Sequence, residues 1–370
     1  MIHTHEPLSD EKIKLLDIIV DVKRKAVEQP DEKPLHILAS SIKNSFESGS
    51  TGLKNHDVSN IRQTIYRTRR RTFRSVPKQR RSCLRRLKEM ASSGDEIVRS
   101  VRGNIVMIAR KEDLKLLNVD RLALFGDGTF KYSPRFFNQM YTFFVFTNGF
   151  YIPVAHFLLI NKSQATYSSM LNMLKTECMN TGFSLTEKLK GGTIMLDFEQ
   201  AMISSAKRTF PGCKIQGCRF HLCQNWWRKM KSLGLSQRYK QASSPEGRWL
   251  RGVFGLPLLP GIMIEKTFNI YCQTAAGRSP VLLSFQQYLK QTYIKSLSNF
   301  EISMWADIDG PSTNNGAESF HRHFGDLFGY LKSKPTIWHF LRNMGTFNVI
   351  KSIKMSLQKK SEFYQMTTTK

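Results

Sequence analysis

Two aspartates end apolar runs that are separated by some seventy residues. Asp127 lies near the end of the run Leu122–Phe130, in LFGDGTF, and Asp197 closes Thr193–Leu196, in TIMLDFE. Carboxylates fixed at the ends of strands are oxygen ligands suited to hard divalent cations. With a third carboxylate they supply what two-metal phosphoryl chemistry uses. In that chemistry two Mg²⁺ ions about 3.5–4 Å apart activate the attacking oxygen and neutralise the leaving one. Three residues are candidates for the third ligand: Asp307 and Asp309 in the loop-like WADIDGPS, and Glu318 at the start of an amphipathic helix. Glu318 is preferred, because a helix can hold a carboxylate rigidly against a sheet. An acid after an apolar run can also cap a helix, and Asp197 could cap the one that follows it. That reading explains one acid and not the pair. Glu199 reads as a first-turn helix acid.

The elements that must carry these acids follow from the hydrophobic pattern. Leu122–Phe130 is the first core strand, preceded by a short apolar strand at Asn104–Arg110. The stretch 140–160 (MYTFFVFTNGFYIPVAHFLLI) is long enough to cross a bilayer. Asn148-Gly149 in its middle, with both flanks apolar and aromatic, instead signals a hairpin, because both residues tolerate positive φ. Two strands, Tyr141–Asn148 and Tyr151–Asn161, are expected there. A helix over Ala165–Met179 presents Tyr167, Met170, Leu171 and Leu174 on one face. Thr193–Leu196 is a fourth strand, and Glu199–Phe210 a helix with Ala201, Met202, Ser205 and Ala206 inward. Lys214–Phe220 is a fifth strand, and His221–Leu233 a helix. The order β-β-β-α-β-α-β-α is the ribonuclease-H-like order, an α/β fold with a mixed sheet covered on both faces. In it the first and fourth core strands are neighbours, so Asp127 and Asp197 are expected to meet. Residues 240–312, with Gly252, Gly255, Pro257, Pro260 and Gly261, break the alternation and read as a mostly helical insertion. Helices over Glu318–Tyr330 and Ile337–Ile350 complete the pattern.

The chain carries 56 Lys+Arg against 29 Asp+Glu, a formal charge of +27. That excess favours polyanionic partners, nucleic acid first and an anionic membrane surface second. The charge peaks over 62–88, where Arg62, Arg67, Arg69, Arg70, Arg71, Arg74, Arg80 and Arg81 occur with no acid. Ile61, Ile65 and Tyr66 give this segment one apolar edge, so it reads as basic helices on either side of Pro77 that contact DNA phosphates. The same run would serve nuclear import. A helical start is expected at Ser9-Asp10-Glu11, ahead of Ile13, Leu16, Ile18 and Ile19. Six cysteines form no dense framework and no signal peptide is visible, which favours a reducing compartment.

Cys213, Cys218, His221 and Cys223 have the ligand types of a zinc site. Their spacing across a strand end and a helix start argues against four of them converging tetrahedrally. Cys223 follows His221 by less than a turn and is rotated off its face. His221 is expected at the sheet end near the acids, contacting a phosphate or orienting a ligand, with Cys218 packed beneath it. Trp226, Trp227 and Trp305 could stack on bases, although buried core is the better reading.

An ordered set of motifs resembles the Mutator-like element (MULE) transposases. It comprises Asp127-Gly128-Thr129-Phe130, Pro134, Gln139-Met140-Tyr141, Pro153, Thr166-Tyr167, Asp197-Phe198-Glu199 and Cys218-Arg219-Phe220-His221. Asn314-Asn315 with Glu318 and His321 completes it. The likeness covers about residues 100–350. It implies a DDE transposase with a ribonuclease-H-like catalytic domain and a helical insertion before the third acid. By position Asp127, Asp197 and Glu318 look like the catalytic, metal-binding triad, and Cys218 and His221 like the family's C-x-x-H pair. The implied activity is Mg²⁺- or Mn²⁺-dependent cutting at transposon ends and strand transfer. The implied partners are double-stranded DNA, as terminal inverted repeats and target, and further copies of the chain. Membrane and small-molecule partners are not expected, and the implied location is the nucleus. His3-Thr4-His5 is similar to the end of a FLYWCH-type finger, whose upstream cysteines the sequence lacks, so zinc is not expected. A domesticated or decayed relative that binds DNA without cutting it is the alternative. The expected organisation is an N-terminal helical region (1–60), a basic helical region (61–100) and the first part of the core (101–239). The insertion (240–312), the core's completion (313–355) and a basic tail (356–370) follow.

Overall fold

The computed structural model describes residues 8–29, 32–45, 54–72, 76–147, 149–295, 298–306, 315–328 and 334–368. They form two compact units, Met1–Lys78 and Gln79–Lys370. The division falls inside the basic run 62–88, so its two helices belong to different units.

The first unit is three helices, α1 (Asp10–Glu28), α2 (Pro34–Ser45) and α3 (Asn55–Thr72). Ser9 caps α1 by accepting from the Lys12 N–H at 3.4 Å, and Asp10 and Glu11 complement the helix dipole. Ile18, Val22 and Ala26 form one stripe of α1 and pack against Ile37, Leu38, Ile61 and Ile65. The helix begins as expected at Asp10; Ile13 and Leu16 lie off the buried stripe and are exposed. Five residues separate Ile13 from Ile18, which turns it about 140° away from the core. Lys25 is buried with this stripe, its ammonium 2.7 Å from Asp21 and donating to Ser40 at 3.1 Å.

The second unit is built on a seven-stranded mixed sheet. Its strands are β1 (Val98–Arg102), β2 (Ile105–Ile108), β3 (Ala123–Thr129), β4 (Gln139–Thr147), β5 (Phe150–Leu159), β6 (Thr193–Leu196) and β7 (Lys214–Gly217). The spatial order is β1-β2-β5-β4-β3-β6-β7, antiparallel from β1 through β3 and parallel from β3 to β7. Thr147 pairs with Phe150, which leaves a two-residue hairpin loop, and Gly149 adopts φ +78° as such a turn requires. β1 straddles the expected boundary at residue 100 between the basic helical region and the core. It is an edge strand whose Arg99 and Arg102 interrupt the apolar alternation, which hides its period.

Helices cover both faces. They are α4 (Arg80–Ser92), α5 (Lys111–Lys115), α6 (Gln164–Asn180), α7 (Leu185–Leu189), α8 (Gln200–Thr209) and α9 (Arg219–Ser232). Between residues 236 and 289 follow α10 (Ser236–Lys240), α11 (Pro245–Val253), α12 (Gly261–Gln273) and α13 (Leu283–Leu289). The last two are α14 (Asn315–Asp326) and α15 (Ile337–Thr368). Strand alternation sorts the core. Leu124, Tyr141, Phe143, Phe157 and Leu196 meet α6, α8 and α9 on one face. Phe125, Met140, Phe144, Leu158 and Met195 meet α4, α14 and α15 on the other. Tyr167, Met170, Leu171 and Leu174 of α6 are all fully buried. Trp226 and Trp305 are core residues whose rings meet edge to face at 6.0 Å. Among the described residues no helix is long and apolar enough to cross a membrane.

Candidate active site

The parallel pairing of β3 and β6 sets the position of the two aspartates. Leu124 is opposite Ile194 and Phe125 opposite Met195. Asp127 and Asp197 each come two residues later, so they extend the same register on the face that carries Phe125 and Met195. Asp127 is buried within β3, while Asp197 is half-buried just beyond β6. Asp197 does not cap α8: Glu199 occupies that position, and its N–H donates to the Asp197 carbonyl at 2.9 Å.

Two glycines let neighbours close on Asp127. A Cβ at Gly126 would stand 2.7 Å from the Tyr141 hydroxyl, and one at Gly128 would collide with the Gln139 amide. The Tyr141 hydroxyl is buried and without a partner. The Tyr167 hydroxyl lies 3.2 Å from Gln139 Oε1 and 3.1 Å from Glu199 Oε2 and shares its one proton between these two acceptors. Lys162 Nζ reaches the same Glu199 oxygen at 2.8 Å. Glu199 is therefore tied to this polar cluster rather than free in the first turn of α8.

Two histidines converge on Asp127. His321 Nε2, on α14, lies 2.8 Å from Oδ2, and His221 Nε2, in the first turn of α9, lies 3.7 Å from Oδ1. Behind them the cross-strand register aligns Asp127 with Thr142 and Thr142 with His156. His156 Nδ1 is 3.0 Å from the Thr142 hydroxyl, and its ring stacks on Phe320, the neighbour of His321, at 5.6 Å. Burial, with the charges of Lys351 and His321, holds His156 well below the usual imidazole range, so it is neutral. His156 was outside the candidate set read from the sequence, and His321 entered it only as a motif residue with no role assigned. A histidine in the apolar FYIPVAHFLL was the available signal for His156; the contact of His321 spans 194 residues.

One carboxyl oxygen of Asp197, Oδ1, is covered and has no hydrogen-bond partner. Burial, then the charges of Glu199 and Asp127, push its pKa up to about 7, against the opposing pull of Lys162. The donor set of adjacent carboxylate oxygens, one of them unpartnered, fits a hard divalent cation. Among the described residues no three His, Cys, Asp or Glu side chains converge as a finished metal cluster. Glu318 lies on α14, three positions before His321, and its side chain is outside the described set. Asp307 and Asp309 also lie outside the described residues.

Cys218 is buried at the N-terminal cap of α9, within the core on the face of the two aspartates. All six cysteines are free thiols. Burial pushes Cys213 up to about 12 and raises Cys223 as well, which suits packing rather than thiolate ligation.

The basic residues divide between the units. Arg67 and Arg71 are exposed on α3, and Arg80 and Arg81 are exposed in the first turn of α4. Arg70 is on α3 with its side chain outside the described set. Arg74, like His3 and His5, lies outside the described residues. Arg69 is turned inward, donating to the carbonyls of Gln29 at 2.8 Å and Glu32 at 2.6 Å.

No curated protein and no solved structure compared with the chain matches it. A family model does: residues 123–225, which carry Asp127, Asp197, Cys218 and His221 and end before Glu318, match the MULE transposase domain.

Proposed function

We propose that the chain is a MULE transposase of the DDE type, cutting DNA at transposon ends and joining them to target DNA from a ribonuclease-H-like core. The observation that carries this reading is the pair Asp127 and Asp197, on adjacent parallel strands, inside the stretch that matches the MULE domain. Glu318 is the third carboxylate. It lies on α14 three positions before His321, the residue that meets Asp127, which supports the assignment.

The residues divide the work. Asp127, Asp197 and Glu318 would hold Mg²⁺ or Mn²⁺, which supplies activation of the attacking oxygen and neutralisation of the leaving oxygen. His321 fixes the rotamer of Asp127 through Oδ2, leaving Oδ1 turned toward His221. Tyr167 and Lys162 hold Glu199 in place near Asp197, with the Lys162 ammonium offsetting part of the local negative charge. His221, half-exposed at the start of α9, is placed to meet a phosphate oxygen of the scissile strand. The partners on this reading are terminal inverted repeats and target DNA, handled in the nucleus by more than one copy of the chain.

The test is cleavage of labelled terminal-repeat duplex in Mg²⁺ or Mn²⁺. Asp127→Asn, Asp197→Asn and Glu318→Gln should each abolish cutting while leaving DNA binding in place. Cutting that survives all three changes refutes the triad. Binding without cutting in either metal favours a transposase-derived DNA-binding protein instead.

A further inference from the structure

The first unit carries a surface that the cutting chemistry does not use. Along α3, Ile61 and Ile65 point into the three-helix core, and Val58 packs beside them. On the opposite side Ser59, Arg62, Gln63, Tyr66, Arg67 and Arg71 are all exposed. Their spacing, 59-62-63-66-67, is one helical face, each step three or four residues after an earlier one. The sole acid of α3, Asp57, is half-buried at its start, 3.0 Å from the Lys54 N–H and 3.1 Å from His56. The outward face is therefore free of negative charge.

Its chemistry is more specific than positive charge. Gln63 carries a donor and an acceptor on one planar amide, and accepts from Arg67 at 3.3 Å, which orders both side chains. Arginine pairs in bidentate fashion with the guanine edge, and glutamine with the adenine edge. A membrane surface would call for an apolar face, yet Tyr66 is the one large ring among these six residues. Single strands call for successive aromatics to stack on. The deep major groove of duplex RNA does not admit a helix, whereas the B-form groove, about 12 Å wide, does. Arg69, four residues after the buried Ile65, is spent on the carbonyls of Gln29 and Glu32.

We infer that α3 is a recognition helix that enters the major groove of duplex DNA and reads base edges through Arg62, Gln63 and Arg67. The first unit is then the sequence-reading module of the chain, and its action does not depend on the acid site of the second unit.

The experiment uses the full chain with Asp127→Asn, in EDTA, so that DNA stays uncut whatever the catalytic reading proves to be. Selection from a pool of random duplexes should converge on one motif. Gln63→Ala should weaken binding to the selected duplex about 10-fold and to a scrambled duplex less than about 2-fold, at one fixed salt concentration. Gln63→Glu, reselected, should exchange adenine for cytosine at a single position, a result that misfolding cannot produce. A pool that does not converge overturns the inference. So does a motif unchanged by Gln63→Glu and Arg67→Ala, or an equal loss on selected and scrambled duplexes, which would mean phosphate contact alone.

Discussion

Asp113, buried at α5, is held from two sides, and its removal should cost more than the removal of either partner. Lys351 on α15 donates to Asp113 Oδ2 at 2.7 Å and to the Pro153 carbonyl at 3.1 Å. Arg110 forks onto the same carboxylate with two bonds of 2.9 Å and donates to Ser352 at 2.9 Å. The side chains of Lys351 and Asp113 are only 6% and 5% exposed, so neither charge can turn to water. Asp113→Ala leaves two cations facing each other without their anion. Breaking a buried pair in this way costs about 3–5 kcal/mol. Lys351→Met keeps the apolar stem and leaves Asp113 its Arg110 fork. What is lost is the second donor and the partner of the Pro153 carbonyl, about 1–3 kcal/mol. For a unit of this size the first change should lower Tm by roughly 6–20 °C. Adding Lys351→Met to Asp113→Ala should recover part of that loss, because it removes an unpaired charge; the coupling should be about 1–3 kcal/mol. Thermal unfolding followed by circular dichroism measures all three variants. Equal costs for the two single changes, or strict additivity in the double, would refute the argument. The clamp reaches the acid site through packing, since Phe347 of α15 lies against Phe320 and Phe324 of α14 at ring distances of 5.2 and 5.7 Å.

Two further outcomes are expected. Burial raises the Asp21 carboxyl, but hydrogen bonds from Lys25, Ser41 and Arg24 outweigh it and hold the pKa at about 2. A depressed folded pKa contributes stability above the unfolded value, near 4, that is lost as pH falls through about 2. The side chain is 22% exposed, so the contribution is roughly 1–2 kcal/mol after screening; helix signal of the first unit should fall between about pH 4 and 2, and Asp21→Asn should flatten that dependence. Gly128→Ala should destabilise the second unit by about 1–3 kcal/mol, because its Cβ would collide with Gln139 and displace the amide that meets Tyr167. A Tm unchanged by that substitution would show that the cluster beneath Asp127 is loosely packed.

How much of this could be read in the sequence depended on how local the governing interaction is. Asn148-Gly149 specifies its hairpin, because a two-residue turn with positive φ constrains only its immediate neighbours. The buried face of α6 followed from its own period. The adjacency of β3 and β6 required only the order of strands and helices, and it brings Asp127 and Asp197 into one register. The line Asp127, Thr142, His156 was not legible, since it arises from the register of three strands and has no spacing of its own. Arg69 looked like its neighbours in a basic run, yet it bonds the carbonyls of Gln29 and Glu32, 40 and 37 positions away. The contacts of Lys351 and His321 join residues 238 and 194 positions apart, beyond the reach of any periodicity.

Those long-range contacts bear on how such a site can be assembled at all. β3 and β6 bring two carboxylates together by backbone pairing, but Asp127 is oriented by a histidine from a helix that follows the long insertion. That helix is seated mainly by rings. Phe320 stacks on His156 and on Phe324, and Phe324 meets Tyr132, Phe340 and Phe347. Gly325 lets the Tyr132 hydroxyl come against the α14 backbone where any Cβ would collide. Close-packed aromatics leave few alternative positions along the helix axis, and a shift of one residue rotates every side chain by about 100°. Such a shift would carry His321 off Asp127. The apolar cluster on this face therefore governs the geometry of the acids as much as the strands do, although none of its rings belongs to the acid cluster itself.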